Sequence, residues 1–245
     1  MNNEEIIFII DKLDSSNEDE ILRGLNLLDK YLIRLVTELE ICSSNGGGNC
    51  FLTCELVENF VQLQNNPAYN IASYLVRIYD CNLSDSNLIL LNRMLQGCLL
   101  LHHSSRSNFN HGRNMKRILT KLDEHRDIPA IISVISTLIH ILLKNYENYR
   151  SFETNGGCTK LIQHLKLNSI DEIPQQKPKN STMSPSLISN QQKLNFKIIE
   201  FLMLYMIEET NNKNGKSVEE KARLFKQDFP EIDLLVENLN ELSKL

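Results

Sequence analysis

Two stretches of the chain superimpose without a gap at an offset of 43 residues: SNFNHGRNMKRILTKL at 107–122 and RSFETNGGCTKLIQHL at 150–165. Phe109 falls on Phe152, Ile118 on Leu161, Leu119 on Ile162 and Leu122 on Leu165. Upstream, Leu95 falls on Leu138 and Leu99 on Leu142. A weaker third copy puts Leu75, Val76 and Tyr79 in the places of Ile118, Leu119 and Leu122. Such self-similarity constrains the fold more than any other feature here. A repeat of this length is one supersecondary unit that cannot bury its apolar face alone, so it must stack on its neighbours.

A period of about 40 to 47 residues is that of armadillo and HEAT repeats. The stretch NYENYRSFETNGGCTKLIQHL resembles an armadillo repeat, with an Asn-bearing turn, an aromatic at Phe152, a glycine pair and then an amphipathic helix. Gly156 or Asn155 is expected to adopt the left-handed conformation that ends one short helix. Gly157 is expected to let the next helix approach closely, with Leu161, Ile162 and Leu165 facing the long apolar helix before it. Helical spacing continues elsewhere, as in Ile21-Leu25-Leu28-Leu32-Leu35-Leu39 and Leu88-Leu91-Leu95-Leu99. The expected fold is all-α: an armadillo/HEAT-like right-handed helical solenoid, one domain over 1–245. SSNGGGN at 43–49 reads as a turn. The Pro- and Ser-rich stretch 168–192 reads as a long disordered loop.

A chain of 245 residues, 42% hydrophobic and 23% charged, can bury a sizeable core. MNNEEIIFIIDKLD is acidic where a secretory leader is basic, and AIISVISTLIHILL is too short to span a bilayer, so the expectation is an intracellular protein without membrane insertion. Six cysteines without framework spacing are expected to be reduced and mostly structural.

Catalytic signatures fail on inspection. His125-Arg126-Asp127 matches the tripeptide of the protein-kinase catalytic loop, but Ile132 stands where the metal-binding Asn belongs and no GxGxxG precedes it. Pro129 after Asp127 reads instead as the first turn of a buried helix. Asp228-Phe229-Pro230 has Pro where the kinase tripeptide needs Gly. A cysteine phosphatase needs Arg six residues after its thiolate, whereas the six positions here hold Gly48, Leu56, Phe60, Asn87, Ser104 and His164. Cys50 and Cys54 lack further ligands at zinc-finger spacing, and His102-His103 diverge on a helix. No phosphate loop occurs. No enzyme, metal or cofactor is expected.

Charge is uneven. Residues 102–126 hold Arg106, Arg113, Lys116, Arg117, Lys121 and Arg126 against Asp123 and Glu124, a net +4 in a chain of total −5, so the remainder carries −9. Met115, Ile118, Leu119 and Leu122 mark a buried stripe, and the cations are expected opposite it. They form either a solvated face or a docking site for an acidic or phosphorylated segment through Arg106, Arg113, Lys116, Arg117 and Lys121. Nucleic acid is disfavoured by the overall charge and the lack of interleaved aromatics. Met183-Ser184-Pro185 makes Ser184 a candidate proline-directed phosphosite.

Three segments together resemble a family. SSRSNFNHGRNMKRILTKLD is similar to its Ser-Arg-x-x-Phe segment, and NYENYRSFETNGGCTKLI to its armadillo-like repeat. KLNFKIIEFLMLYMIEET is similar to its Lys-x-x-Glu-Phe-Leu helix, followed by SVEEKARLFKQDFPEIDLLVENL as closing helices. The family is the fungal cell division control protein fourteen, the septation initiation network subunit, distinct from the phosphatase of the same name. The resemblance runs from about residue 51 to the end. Leu204-Tyr205-Met206 stands where the family more often has aromatics. It implies a non-catalytic partner of a Ste20-related, germinal-centre-type protein kinase, acting at the spindle pole body in cytokinesis, as a heterodimer or heterotetramer. The runner-up is a generic armadillo-like adaptor for acidic peptides.

Overall fold

The computed structural model describes residues 3–45, 54–166, 189–209 and 215–242. Every regular element among them is helical: α1 (Asn3–Leu13), α2 (Glu18–Asn45), α3 (Glu55–Gln64), α4 (Ile71–Ile78), α5 (Asp85–Leu101), α6 (Gly112–Glu124), α7 (Ile128–Leu142), α8 (Tyr146–Thr154), α9 (Gly157–Ile162), α10 (Asn190–Tyr205), α11 (Val218–Arg223) and α12 (Ile232–Leu242), with short 3-10 segments at Pro67–Tyr69 and His103–Phe109.

Helix starts follow from local chemistry. Asp127, N-terminal to Pro129, accepts from the Ala130 N–H and opens α7. The kinase-like tripeptide is thus divided: His125 ends α6 and Asp127 caps α7. Ser84, Asn145, Ser189 and Ser217 cap α5, α8, α10 and α11, the last two as capping boxes with Gln192 and Glu220. The Ser189 box starts α10 inside the stretch expected to be loop up to 192; residues 168–188 of that stretch lie outside the described ones. Likewise Ser43, Ser44 and Asn45, expected in a turn, continue α2, and 46–49 lie outside.

The long helices lie side by side, with α5 packed between α2 and α7, and α7 between α5 and α10. They run parallel. Arg93 of α5 pairs with Asp29 of α2, and Gly97, one turn on, sits against Leu32, one turn beyond Asp29. Between α5 and α7 a buried polar set fixes the register. Asn92 Oδ1 accepts from Thr137 Oγ1 at 3.0 Å and from the Tyr79 hydroxyl, while Asn92 Nδ2 donates to Ser133 Oγ at 2.7 Å. Parallel helices joined through shorter return helices are what stacked repeats require.

The 43-residue offset is visible in the packing. Phe109 and Phe152, Leu95 and Leu138, Leu99 and Leu142, Ile118 and Leu161, and Leu119 and Ile162 are all buried, as are Leu75, Val76 and Tyr79. Leu122 is buried and its counterpart Leu165 partly so. A polar contact repeats too: Arg117 pairs with Asp80, and Lys160 with Asp123, each partner displaced by 43. Gly156 carries the left-handed turn at φ +73°, and a Cβ on Gly157 would come within 2.3 Å of the Phe152 ring. The helix this turn releases, α9, packs chiefly on α6 and α8 rather than on α7.

Candidate interaction surface

The cations grouped by sequence into one basic region are separated by the fold. Arg106 belongs to the irregular 3-10 segment after α5, where no 3.6-residue period protects it from burial. It is 6% exposed. Its Nη1 donates to the Leu143 carbonyl at 3.1 Å, at the negative end of α7, while Nε and Nη2 are buried without a partner. Lys121, at the edge of the α6 stripe, is 5% exposed because the turn after α4 covers it. Its Nζ donates to the Cys81 carbonyl and to Glu124. Neither Arg106 nor Lys121 lies opposite the stripe, as the sequence had suggested.

Arg117 is half-buried and held by both oxygens of Asp80 and by Asn114 Oδ1. It belongs to the repeated ion-pair ladder. Arg113, Lys116 and Arg126 remain exposed and make no ion pair among the described residues. Arg113 and Lys116 border a shallow depression of about 330 Å³ with Tyr79, Asp80, Arg117 and Thr120. Ser184 lies outside the described residues.

The segments that resemble the family hold side chains that tie the helices together. Ser105 is buried and accepts from Asn70 Nδ2 at 2.8 Å, beside His102 Nδ1. One repeat later, Asn148 Nδ2 donates to the Arg106 and Ile141 carbonyls. Lys221, in the Glu-Glu-Lys segment, is completely buried. Its ammonium donates to the Tyr205 and Ile207 carbonyls at the end of α10, at 3.0 and 2.7 Å, pairs with buried Glu209 at 3.0 Å and lies over the Tyr149 ring. Arg150 and the Lys216 N–H complete the shell around Glu209. Burial lowers the Lys221 pKa against the opposing pull of Glu209.

An open apolar groove of about 740 Å³ between α2, α3 and α5 was not singled out from sequence. Signals for it existed: Ile33 and Val36 lie off the buried stripe of α2, and α5 is apolar on nearly every side. The described cysteines, Cys54, Cys81, Cys98 and Cys158, are free. Burial pushes Cys98 and Cys158 up to about 12, away from nucleophilic chemistry. Cys42 and Cys50 fall where no side chain is described. Among the described residues no group of three or more His, Cys, Asp or Glu is placed to hold a metal, and no helix is long and apolar enough to cross a membrane.

Parallel long helices in register, exposed Arg113 and Lys116, and an open apolar groove characterise the described residues. The chain belongs to the family described as Cell division control protein 14, SIN component, whose model matches residues 52–217. Membership connects it with cell division and septation initiation, as a network component and not as a phosphatase. No curated protein and no solved structure matches the chain.

Proposed function

We propose that the chain is a non-catalytic partner of a Ste20-related, germinal-centre-type protein kinase, which it activates or scaffolds in the septation initiation pathway at the spindle pole body. The observation that carries this reading is the family match over 52–217. The stacking supports it: parallel long helices and an ion pair repeated at the 43-residue period suit an armadillo/HEAT-like right-handed solenoid, a rigid surface of the kind that orders a partner segment. Activation then follows from preferential binding of the active kinase conformation, which shifts the population toward it. The complex is a heterodimer or heterotetramer.

A second reading, a generic adaptor for acidic or phosphorylated segments, rests on Arg113 and Lys116, exposed and without an ion pair among the described residues, in a depression also lined by Asp80 and Glu124. One experiment separates the two. The tagged chain is isolated from dividing cells, its partners are identified by mass spectrometry, and kinase activity is assayed with and without it. A germinal-centre-type kinase whose activity falls on removal of the chain establishes the first reading. Recovery of no kinase, together with phosphopeptide binding abolished by R113E/K116E, establishes the second.

A further inference from the structure

We propose that the groove between α2, α3 and α5 is the docking site for a basic amphipathic helix of a partner chain. The groove is an open one of about 740 Å³. Its walls include Val36 and Leu39 of α2, Val61 of α3, and Leu100 and Leu101 of α5. Val36 is 49% exposed and Leu100 48%, so apolar surface that the fold could have covered faces solvent. On α2 the groove runs from Leu32 to Leu39, about 10 Å or two helical turns. The Asp29–Arg93 ion pair, one turn before Leu32 and Gly97, joins α2 to α5 outside the groove lining.

Two features select the occupant. The polar groups lining the groove are Glu58, Gln62 and His103, so an extended peptide laid in it would leave backbone N–H and C=O groups without partners. A helix satisfies its own backbone and needs to offer only apolar side chains at i, i+3, i+4 and i+7. Charge then selects among helices. Glu58 is the charged residue of the lining, Glu55 lies one turn before it, and both are exposed without an ion pair among the described residues. Their place in the first turn of α3 suits the helix dipole, yet their charge still faces outward, and no Lys or Arg lines the groove among the described residues. A helix flanked by Lys or Arg is complementary to that rim; one flanked by Glu is repelled.

The test uses the purified full chain and a fluorescent synthetic helix with a Leu stripe at this spacing and Lys flanks, against a control with the same stripe and Glu flanks. The Lys-flanked helix should bind by anisotropy, gain helicity on binding, and outcompete the Glu-flanked one at least about tenfold at low salt. L100D and V36D should each weaken it about tenfold or more while leaving melting temperature and far-UV circular dichroism unchanged, since both side chains are half exposed. E58K should narrow the preference between the two helices. No binding up to about 1 mM, a complex far weaker than a specific site of this size gives, overturns the proposal. So do equal binding of both helices, a bound peptide that stays non-helical, or unchanged binding to L100D. A dimer seen by sedimentation and lost in L100D would assign the groove to a second copy of the chain instead. Because the probe is synthetic, failure to recover a kinase from cells has no bearing on this result.

Discussion

Replacing Lys221 by Met should destabilise the protein by about 3–5 kcal/mol, through two carbonyls left without a donor and one ion-pair partner lost by Glu209. Met keeps the apolar stem but removes the ammonium, leaving the Tyr205 and Ile207 carbonyls unpaired at the end of α10. Each orphaned acceptor costs about 1–3 kcal/mol. Glu209, whose side chain is wholly buried, then keeps Arg150 and the Lys216 N–H as partners. In a chain of this size each kcal/mol moves the melting temperature by roughly 2–4 °C, so a fall of roughly 6–20 °C is expected in calorimetry. Amides of α11 and the last turn of α10 should lose hydrogen-exchange protection first, because Lys221 ties those elements together. The double variant K221M/E209Q should cost less than the sum of the single ones, since the Lys221–Glu209 pair is already lost after either change. A K221M protein within about 1 kcal/mol of wild type would refute the reasoning: the ammonium's desolvation would then cancel everything it contacts.

Gly156→Ala places a Cβ at φ +73° in open space and should cost about 1–2 kcal/mol in urea denaturation. Gly157→Ala drives a Cβ within 2.3 Å of the Phe152 ring and should cost about 1–3 kcal/mol, with partial rescue by Phe152→Leu; rescue of Gly156→Ala instead would reverse the two assignments. His102 and His164 both have pKa values lowered from 6.5, chiefly by burial, so below pH 6.5 the unfolded chain takes up protons that the folded chain refuses. Stability should therefore fall as the solution is acidified from 6.5 through the lowered folded values. Imidazole titration by NMR should give midpoints below 6.5, and a midpoint at or above that value would remove the effect.

Much of the helical framework could be read from the chain because it is written in local periods. The stripe of α6, the entrance of α7 at Asp127 and Pro129, and the 43-residue offset all depend on spacing within one element or between copies of it. Gly156 could be narrowed to two candidates by turn chemistry alone, and φ +73° selects it. What escaped reading depends on neighbours distant in sequence. Lys121 looks like an outward cation from within α6, but the turn at Cys81, 40 residues earlier, closes over it. The apolar residues of α5 could all have been core; that Leu100 is half exposed follows from how α2 and α3 meet α5, which no local pattern records. The start of α10 was missed for a different reason, since the Ser189–Gln192 capping box was present in the sequence and obscured by its polar surroundings.

The five cations proposed from sequence as one docking patch now carry separable energetic signatures. Arg106 and Lys121 are buried among carbonyls, so their removal acts first on the fold. Arg117 pairs with Asp80, itself 54% exposed, and such pairs are worth about 0–1 kcal/mol, so its removal loosens one rung of a repeated ladder. Arg113 and Lys116 make no ion pair among the described residues, and their removal should leave stability unchanged. Loss of partner binding on reversing all five charges would therefore say little about recognition. Loss of binding in R113E/K116E, with an unchanged melting temperature, would locate recognition on α6, because nothing in the fold depends on those two charges.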